Sequence, residues 1–195
     1  MSVQLSYELF AVTTPLWTAT VLADFDSFLI DHAACERKAS SMAMSMLLHY
    51  SDKPTLVQAM TELAVEELLH FKAVMTHINA RQLILRPDEK DPYVNQLRTT
   101  IRTHSAHYLL DRLLVASIIE KRGAERFGLV ANALTPGKLQ EFYRNITDSE
   151  SRHFILFLEL ATEYFDSASI TTRLHELLEV EAKIIENLPL RAALH

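Results

Sequence analysis

Residues 63–74 read Leu63-Ala64-Val65-Glu66-Glu67-Leu68-Leu69-His70-Phe71-Lys72-Ala73-Val74. At helical spacing Leu63, Glu67, His70 and Val74 share one face, so a glutamate and a histidine three residues apart interrupt an apolar stripe. A second stretch repeats the anomaly: Phe142, Ile146, Glu150, His153 and Phe157 stack in the same way, with Glu150-Ser151-Arg152-His153 at the centre. Charged side chains of an amphipathic helix belong on its other side. A buried carboxylate without compensation costs several kcal/mol or shifts its pKa until it is neutral.

The helices upstream of these two carry the same feature. Glu36 lies on a stripe with His32, Ala39, Ala43 and Met46, and Glu120 on one with Leu113, Ala116, Ala124 and Phe127. Glu36 precedes Glu67 by 31 residues and Glu120 precedes Glu150 by 30. The chain therefore holds an internal repeat of two helix pairs, each contributing one Glu and one Glu-x-x-His. Four glutamates and two histidines projecting into a four-helix core match the ligand set of a carboxylate-bridged di-iron or di-manganese site. Two divalent ions cancel four carboxylates, and oxygen ligands with imidazole suit iron or manganese. The predicted metal ligands are Glu36, Glu67, His70, Glu120, Glu150 and His153, with no catalytic side chain beyond them.

Neighbours compete at two positions. Glu66 replaces Glu67 if the helix phase slips by one residue, but only Glu67 has a histidine three residues on. Glu125 competes with Glu120 but breaks the repeat. His32, His49, His77, His104, His107 and His175 read as surface or hydrogen-bonded histidines, with His32, one turn before Glu36, placed to support a ligand. Cys35 reads as a small buried residue, and Met42, Met44 and Met46 as core packing.

The rest of the chain fits a helical bundle. Only 3 of 195 residues are glycine, against about 7% in an average protein, too few for the turns of a many-stranded β fold or for a phosphate-cradling loop. With 49% hydrophobic and 23% charged residues the chain is not disordered. The single cysteine excludes an internal disulfide and any four-cysteine metal site. Without a signal-peptide pattern or an apolar run of ~18 residues, a cytoplasmic protein with no membrane association is expected.

Stop and start signals divide the chain. Thr14-Pro15 opens a short segment, and long helices are predicted over Phe25–His49, Pro54 to about Arg81, Ser105 to about Ala131, and from Thr135-Pro136 to about Tyr164. Asp91-Pro92 caps a short helix between the pairs, and Ser167 caps a last one running to Glu186. The expectation is one all-α domain, residues 1–195: a four-helix bundle with accessory helices at the N-terminus, between the two helix pairs and at the C-terminus.

Four stretches together carry a family resemblance: 31–39 (Asp-His-Ala-Ala-Cys-Glu-Arg-Lys-Ala), 67–71 (Glu-Leu-Leu-His-Phe), 119–127 (Ile-Glu-Lys-Arg-Gly-Ala-Glu-Arg-Phe) and 148–154 (Asp-Ser-Glu-Ser-Arg-His-Phe). They resemble the MiaE family of di-iron tRNA hydroxylases over most of the chain. The third stretch departs from the family pattern at Lys121, Gly123 and Ala124 and keeps Glu120. The resemblance implies a ferritin-like bundle and the same six ligands. It also implies an oxygen-dependent monooxygenase that hydroxylates the isopentenyl group of 2-methylthio-N6-isopentenyladenosine next to the tRNA anticodon. Two iron ions (manganese as the alternative), molecular oxygen as co-substrate, and an external electron donor or reductase follow from that reaction.

The net charge of −6 bears on tRNA as partner. Residues 159–195 hold seven acids and three bases, so the preceding part is nearly balanced. Arg81, Arg86, Lys90, Arg98 and Arg102 around the inter-repeat connection, with Lys121, Arg122 and Arg126 beside the third stretch, are candidates for a phosphate-binding rim. The rival readings are another ferritin-like di-iron oxidase or oxygenase acting on a lipid, aldehyde or quinone-type substrate, a ferroxidase or iron-storage protein, and a metal-free helical interaction module.

Overall fold

The computed structural model describes residues 6–87, 89–103 and 106–195. Those residues form seven α-helices and no strand: α1 (Pro15–Ala23), α2 (Phe25–His49), α3 (Pro54–Ala80), α4 (Pro92–Thr99), α5 (Tyr108–Ala133), α6 (Lys138–Tyr164) and α7 (Ser167–Asn187). None of these helices is long and apolar enough to cross a membrane. The chain divides into two compact units. One comprises Ala19–Glu89 with Arg191–Leu194; the other takes the described residues of Met1–Thr18, Lys90–Leu190 and His195.

In the first unit α2 packs along α3. Asp24 starts α2, its carboxylate accepting from the Ser27 N–H at 3.2 Å. The helix stops where the Tyr50 N–H turns back to the Met46 carbonyl. Pro54 then opens α3 at a position whose N–H would have no helical partner. Phe28, Leu29, Ala43, Met46, Leu56, Met60, Val74 and Ile78 form the buried seam. Of the three methionines expected in the core only Met46 lies there. Met42 is half-buried and Met44 is largely exposed, since a run at every second position cannot hold one helical face.

In the second unit α5 packs along α6, and α7 packs against α4, α5 and α6. Asp91 caps α4 as expected, accepting from the Tyr93 and Val94 N–H groups at 2.9 and 3.1 Å. Two predicted helix starts are corrected. α6 begins after Gly137, whose φ of 156° and ψ of −176° lie in a region open essentially to glycine, so Thr135-Pro136 sits outside the helix. Asp166, not Ser167, caps α7, because its carboxylate reaches both the N–H and hydroxyl of Ser169 at 2.9 and 2.7 Å. The predicted start of α5 at Ser105 lies outside the described residues, and α5 runs from Tyr108.

A buried ionic cluster fixes this unit. Arg122 is fully buried and reaches Glu181 of α7 at 2.8 and 3.0 Å, while the Tyr93 hydroxyl of α4 donates to the same carboxylate at 3.1 Å. Arg122 also donates to the Ala11 carbonyl at 2.8 Å and to Glu125. Glu125 in turn accepts from the N–H and hydroxyl of Thr13 at 2.9 and 2.7 Å. Arg126 lies over Trp17, and burial together with the neighbouring Arg122 charge lowers its pKa to about 10. One side chain of α5 thus ties the N-terminal segment and α7 together.

Candidate metal centre

Each unit brings half of the predicted ligand set together. In the α2–α3 unit Glu36 and Glu67 are 3% and 1% exposed. His70 Nδ1 lies 3.6 Å from Glu36 Oε2 and 3.5 Å from Glu67 Oε2. Fully buried His32 meets the other Glu36 oxygen at 2.6 Å through Nε2, the supporting position anticipated for it. Burial pushes the Glu36 carboxyl up, yet its contacts with His32 and His70 outweigh that and hold it well below the usual carboxylate range. Burial likewise pulls His70 down, but the Glu36 and Glu67 carboxylates raise it to about 10.

In the α5–α6 unit Glu120, Glu150 and His153 are all buried. His153 Nδ1 lies 4.0 Å from Glu120 Oε2 and 3.9 Å from Glu150 Oε2. Gly123, one turn after Glu120, faces this carboxylate: a Cβ there would stand 3.7 Å from Glu150 Oε2, so a side chain longer than alanine would press into it.

These separations test the fit to a metal. Spacings of 3.5–4.0 Å are beyond a good hydrogen bond. They are the spacings of atoms that share an ion, since two ligands each about 2.1 Å from one metal stand ~3–4 Å apart. Hard oxygens with imidazole, buried on apolar stripes, fit iron or manganese.

The competing residues are placed elsewhere. Glu66 is half-buried, and Glu125 is committed to Thr13 and Arg122. His49 and His107 are exposed, His77 is half-buried, and His175 is exposed beside Glu179 and Phe10. His104 lies outside the described residues. Cys35 is half-buried rather than buried, its thiol 3.8 Å from Asp31.

Part of the expected phosphate-binding rim is corrected. Arg122 and Arg126 are inside the protein, held by Glu181, Glu125 and Trp17, and reach no solvent phosphate. Lys121 is drawn back over the Tyr7 and Phe154 rings at 5.0 and 4.5 Å. Arg102 is committed to Asp111 at 2.6–2.9 Å. The Arg122–Glu181 pair escaped sequence reading because α7 presents Glu181 among six other acids of the C-terminal part, and nothing local separates a buried one from the rest.

Comparison with known proteins identifies the family. The family model described as tRNA-(MS[2]IO[6]A)-hydroxylase (MiaE) matches residues 3–195. A tRNA 2-(methylsulfanyl)-N(6)-isopentenyladenosine(37) hydroxylase from Pseudomonas putida is 35% identical over 175 residues, 90% of this chain and 85% of the relative. The protein of the same name from Salmonella typhimurium is 32% identical over 158 residues, and the match spans 80% of this chain but 56% of that longer relative. Among solved structures, a Synechococcus protein described as having aldehyde deformylating oxygenase activity superimposes with a TM-score of 0.92 at 36% identity, covering 97% of this chain and 96% of its own. The fold is thus an all-α ferritin-like bundle, and the chain belongs to the MiaE family of tRNA hydroxylases.

Proposed function

We propose that this protein hydroxylates the isopentenyl group of 2-methylthio-N6-isopentenyladenosine in tRNA, as a single domain in which the two helix pairs close on one dinuclear iron centre. The observation that carries the reading is the doubled Glu and Glu-x-x-His set, its four glutamates and His153 buried and His70 half-buried, within a chain that matches a named hydroxylase over 90% of its length. Glu36, Glu67, His70, Glu120, Glu150 and His153 would hold the metals. Two iron ions bound there supply the reductive activation of molecular oxygen that an unactivated C–H bond requires. The electrons come from an external donor, and manganese is the alternative metal.

The chain's own residues set the conditions. His32 holds one oxygen of Glu36 and so fixes which oxygen faces inward. Leu63 and Val74 on α3, with Ala116, Ala124 and Phe127 on α5, keep the surroundings of the six side chains apolar. An apolar setting suits a prenyl substrate and protects a reactive centre from water.

The likeness to the Synechococcus structure favours a second reading, oxygenation of an aldehyde. One experiment separates the two. Iron-loaded protein, oxygen and a chemical reductant are incubated with isopentenyl-modified tRNA or with a long-chain aldehyde, beside Glu67→Ala. Nucleoside mass spectrometry is expected to show one added oxygen on the modified adenosine with wild type only. Formate released from the aldehyde, with an unchanged nucleoside, would replace the tRNA reading by the second.

A further inference from the structure

The α2–α3 unit carries a second feature, on the side of α2 away from Glu36. Ser27, Ile30, Asp31, Ala34 and Lys38 recur every three or four residues and so share a face. They line a cavity of about 280 Å³ that belongs wholly to this unit. Four cations border it: Arg37 and Lys38 from α2, Arg86 from the segment after α3, and Arg191 from the C-terminal part. Phe71 and Leu85 give it an apolar wall.

Three carboxylates also line the cavity, and each has a partner. Asp24 caps α2 and lies in the field of Arg86, which helps hold its pKa down after the Ser27 hydrogen bonds. Asp31 accepts from the Leu194 N–H at 2.7 Å. Glu89, mostly exposed, stands 3.8 Å from Arg191, and its backbone carbonyl accepts from Lys38 at 2.8 Å. Arg37 and Arg86 are both exposed. Arg86 spends one contact, a 3.4 Å approach to the Ser27 hydroxyl. Against the three carboxylates the four cations leave this half-open cavity a small positive excess in a chain of net charge −6, and the exposed Arg37 and Arg86 are the cations placed to meet a phosphate.

Cations beside an aromatic wall are the pattern that single-stranded RNA uses, a phosphate on the charges and an unstacked base on the ring. The cavity has room for about one nucleoside, being smaller than most pockets for drug-sized ligands. Phe71 follows His70 and Arg37 follows Glu36 in sequence, so the cavity stands about one helix thickness, ~10–12 Å, from those two candidate ligands.

We propose that this cavity seats a nucleotide of the tRNA strand flanking the modified adenosine, its phosphate among Arg37, Arg86 and Arg191 and its base on the Phe71 wall. The inference rests on the tRNA reading above and names the part of the chain that holds the RNA.

The test uses full-length, iron-loaded protein and a modified anticodon stem-loop RNA, with binding followed by fluorescence anisotropy across a salt series. Arg86→Ala and Arg37→Ala are each expected to weaken binding several-fold and to lower the slope of log K against log salt by about one. Arg86→Lys is expected to keep the slope, and Arg144→Ala, on the exposed face of α6, to match wild type. KM for the RNA is expected to rise in Arg86→Ala. RNA binding by wild type with the same affinity and slope in both alanine variants would overturn this inference and leave the tRNA reading standing. Failure of wild type itself to bind the RNA would overturn both.

Discussion

The two halves of the candidate centre use the same three residue types and support them differently. In the α2–α3 half, a buried histidine on the same helix, His32, grips Glu36 at 2.6 Å, and His70 keeps 14% of its side chain exposed. In the α5–α6 half Glu120, Glu150 and His153 are all buried, with separations of 3.9–4.0 Å. There the helix that carries Glu120 is itself held in place. Two residues after Glu120, Arg122 bolts α5 to α7 and to the N-terminal segment. A repeat in sequence has thus diverged into a locally braced half with access to solvent and a half braced through the tertiary structure.

That contrast is open to direct attack, and the largest effect is expected in the tertiary brace. Arg122→Met leaves Glu181 charged and buried without its main partner, which costs about 3–5 kcal/mol. Thermal unfolding should therefore show a large fall in Tm, and adding Glu181→Leu should recover much of it. Equal stability of Arg122→Met and wild type would show that Arg122 does not brace α5.

The local brace comes next. His32→Ala is expected to leave the helices intact and to weaken iron binding by about 10–100-fold, the usual cost of losing a hydrogen-bonded partner behind a ligand. Competition with a chelator measures it. An unchanged iron affinity would mean that Glu36 is positioned by the helix alone.

The smallest effect is expected at the α4 cap. Asp91→Ala loses two N–H contacts and the 3.0 Å contact with His195, at a cost of about 1 kcal/mol. Burial raises the Asp91 carboxyl, but His195 and the two N–H groups outweigh it and bring its pKa to about 2. A depressed carboxylate stabilises the fold above its unfolded pKa and ceases to do so as pH falls through its folded value. The stability gap between wild type and Asp91→Ala should therefore close between about pH 4 and pH 2, as denaturant titrations at several pH values would show.

Much of the architecture was legible in the sequence, because helix period and caps are local. The limits of α2 and the Asp91 cap follow from residues a few positions apart. The six candidate ligands were legible for a different reason: charged residues on an apolar stripe are conspicuous, the histidine three residues on separates Glu67 from Glu66, and the repeat separates Glu120 from Glu125. Helix starts set by competing residues were read less well, as at Gly137 and Asp166, where a neighbour one or two positions away offers the same chemistry. Arg122 was misread because its partners, Ala11, Thr13 and Glu181, are remote in sequence, and an arginine buried by distant contacts looks locally like an exposed one.

Whether the two halves share one centre, as proposed, is read from the iron they bind. Metal-free protein would be titrated with ferrous iron and examined by Mössbauer spectroscopy after oxidation, alongside Glu67→Ala and Glu150→Ala. Two irons per chain are expected, magnetically coupled in wild type, with the coupled signal lost when a ligand is removed from either half. Two uncoupled irons in wild type, each removed by only one of the two substitutions, would contradict a shared centre.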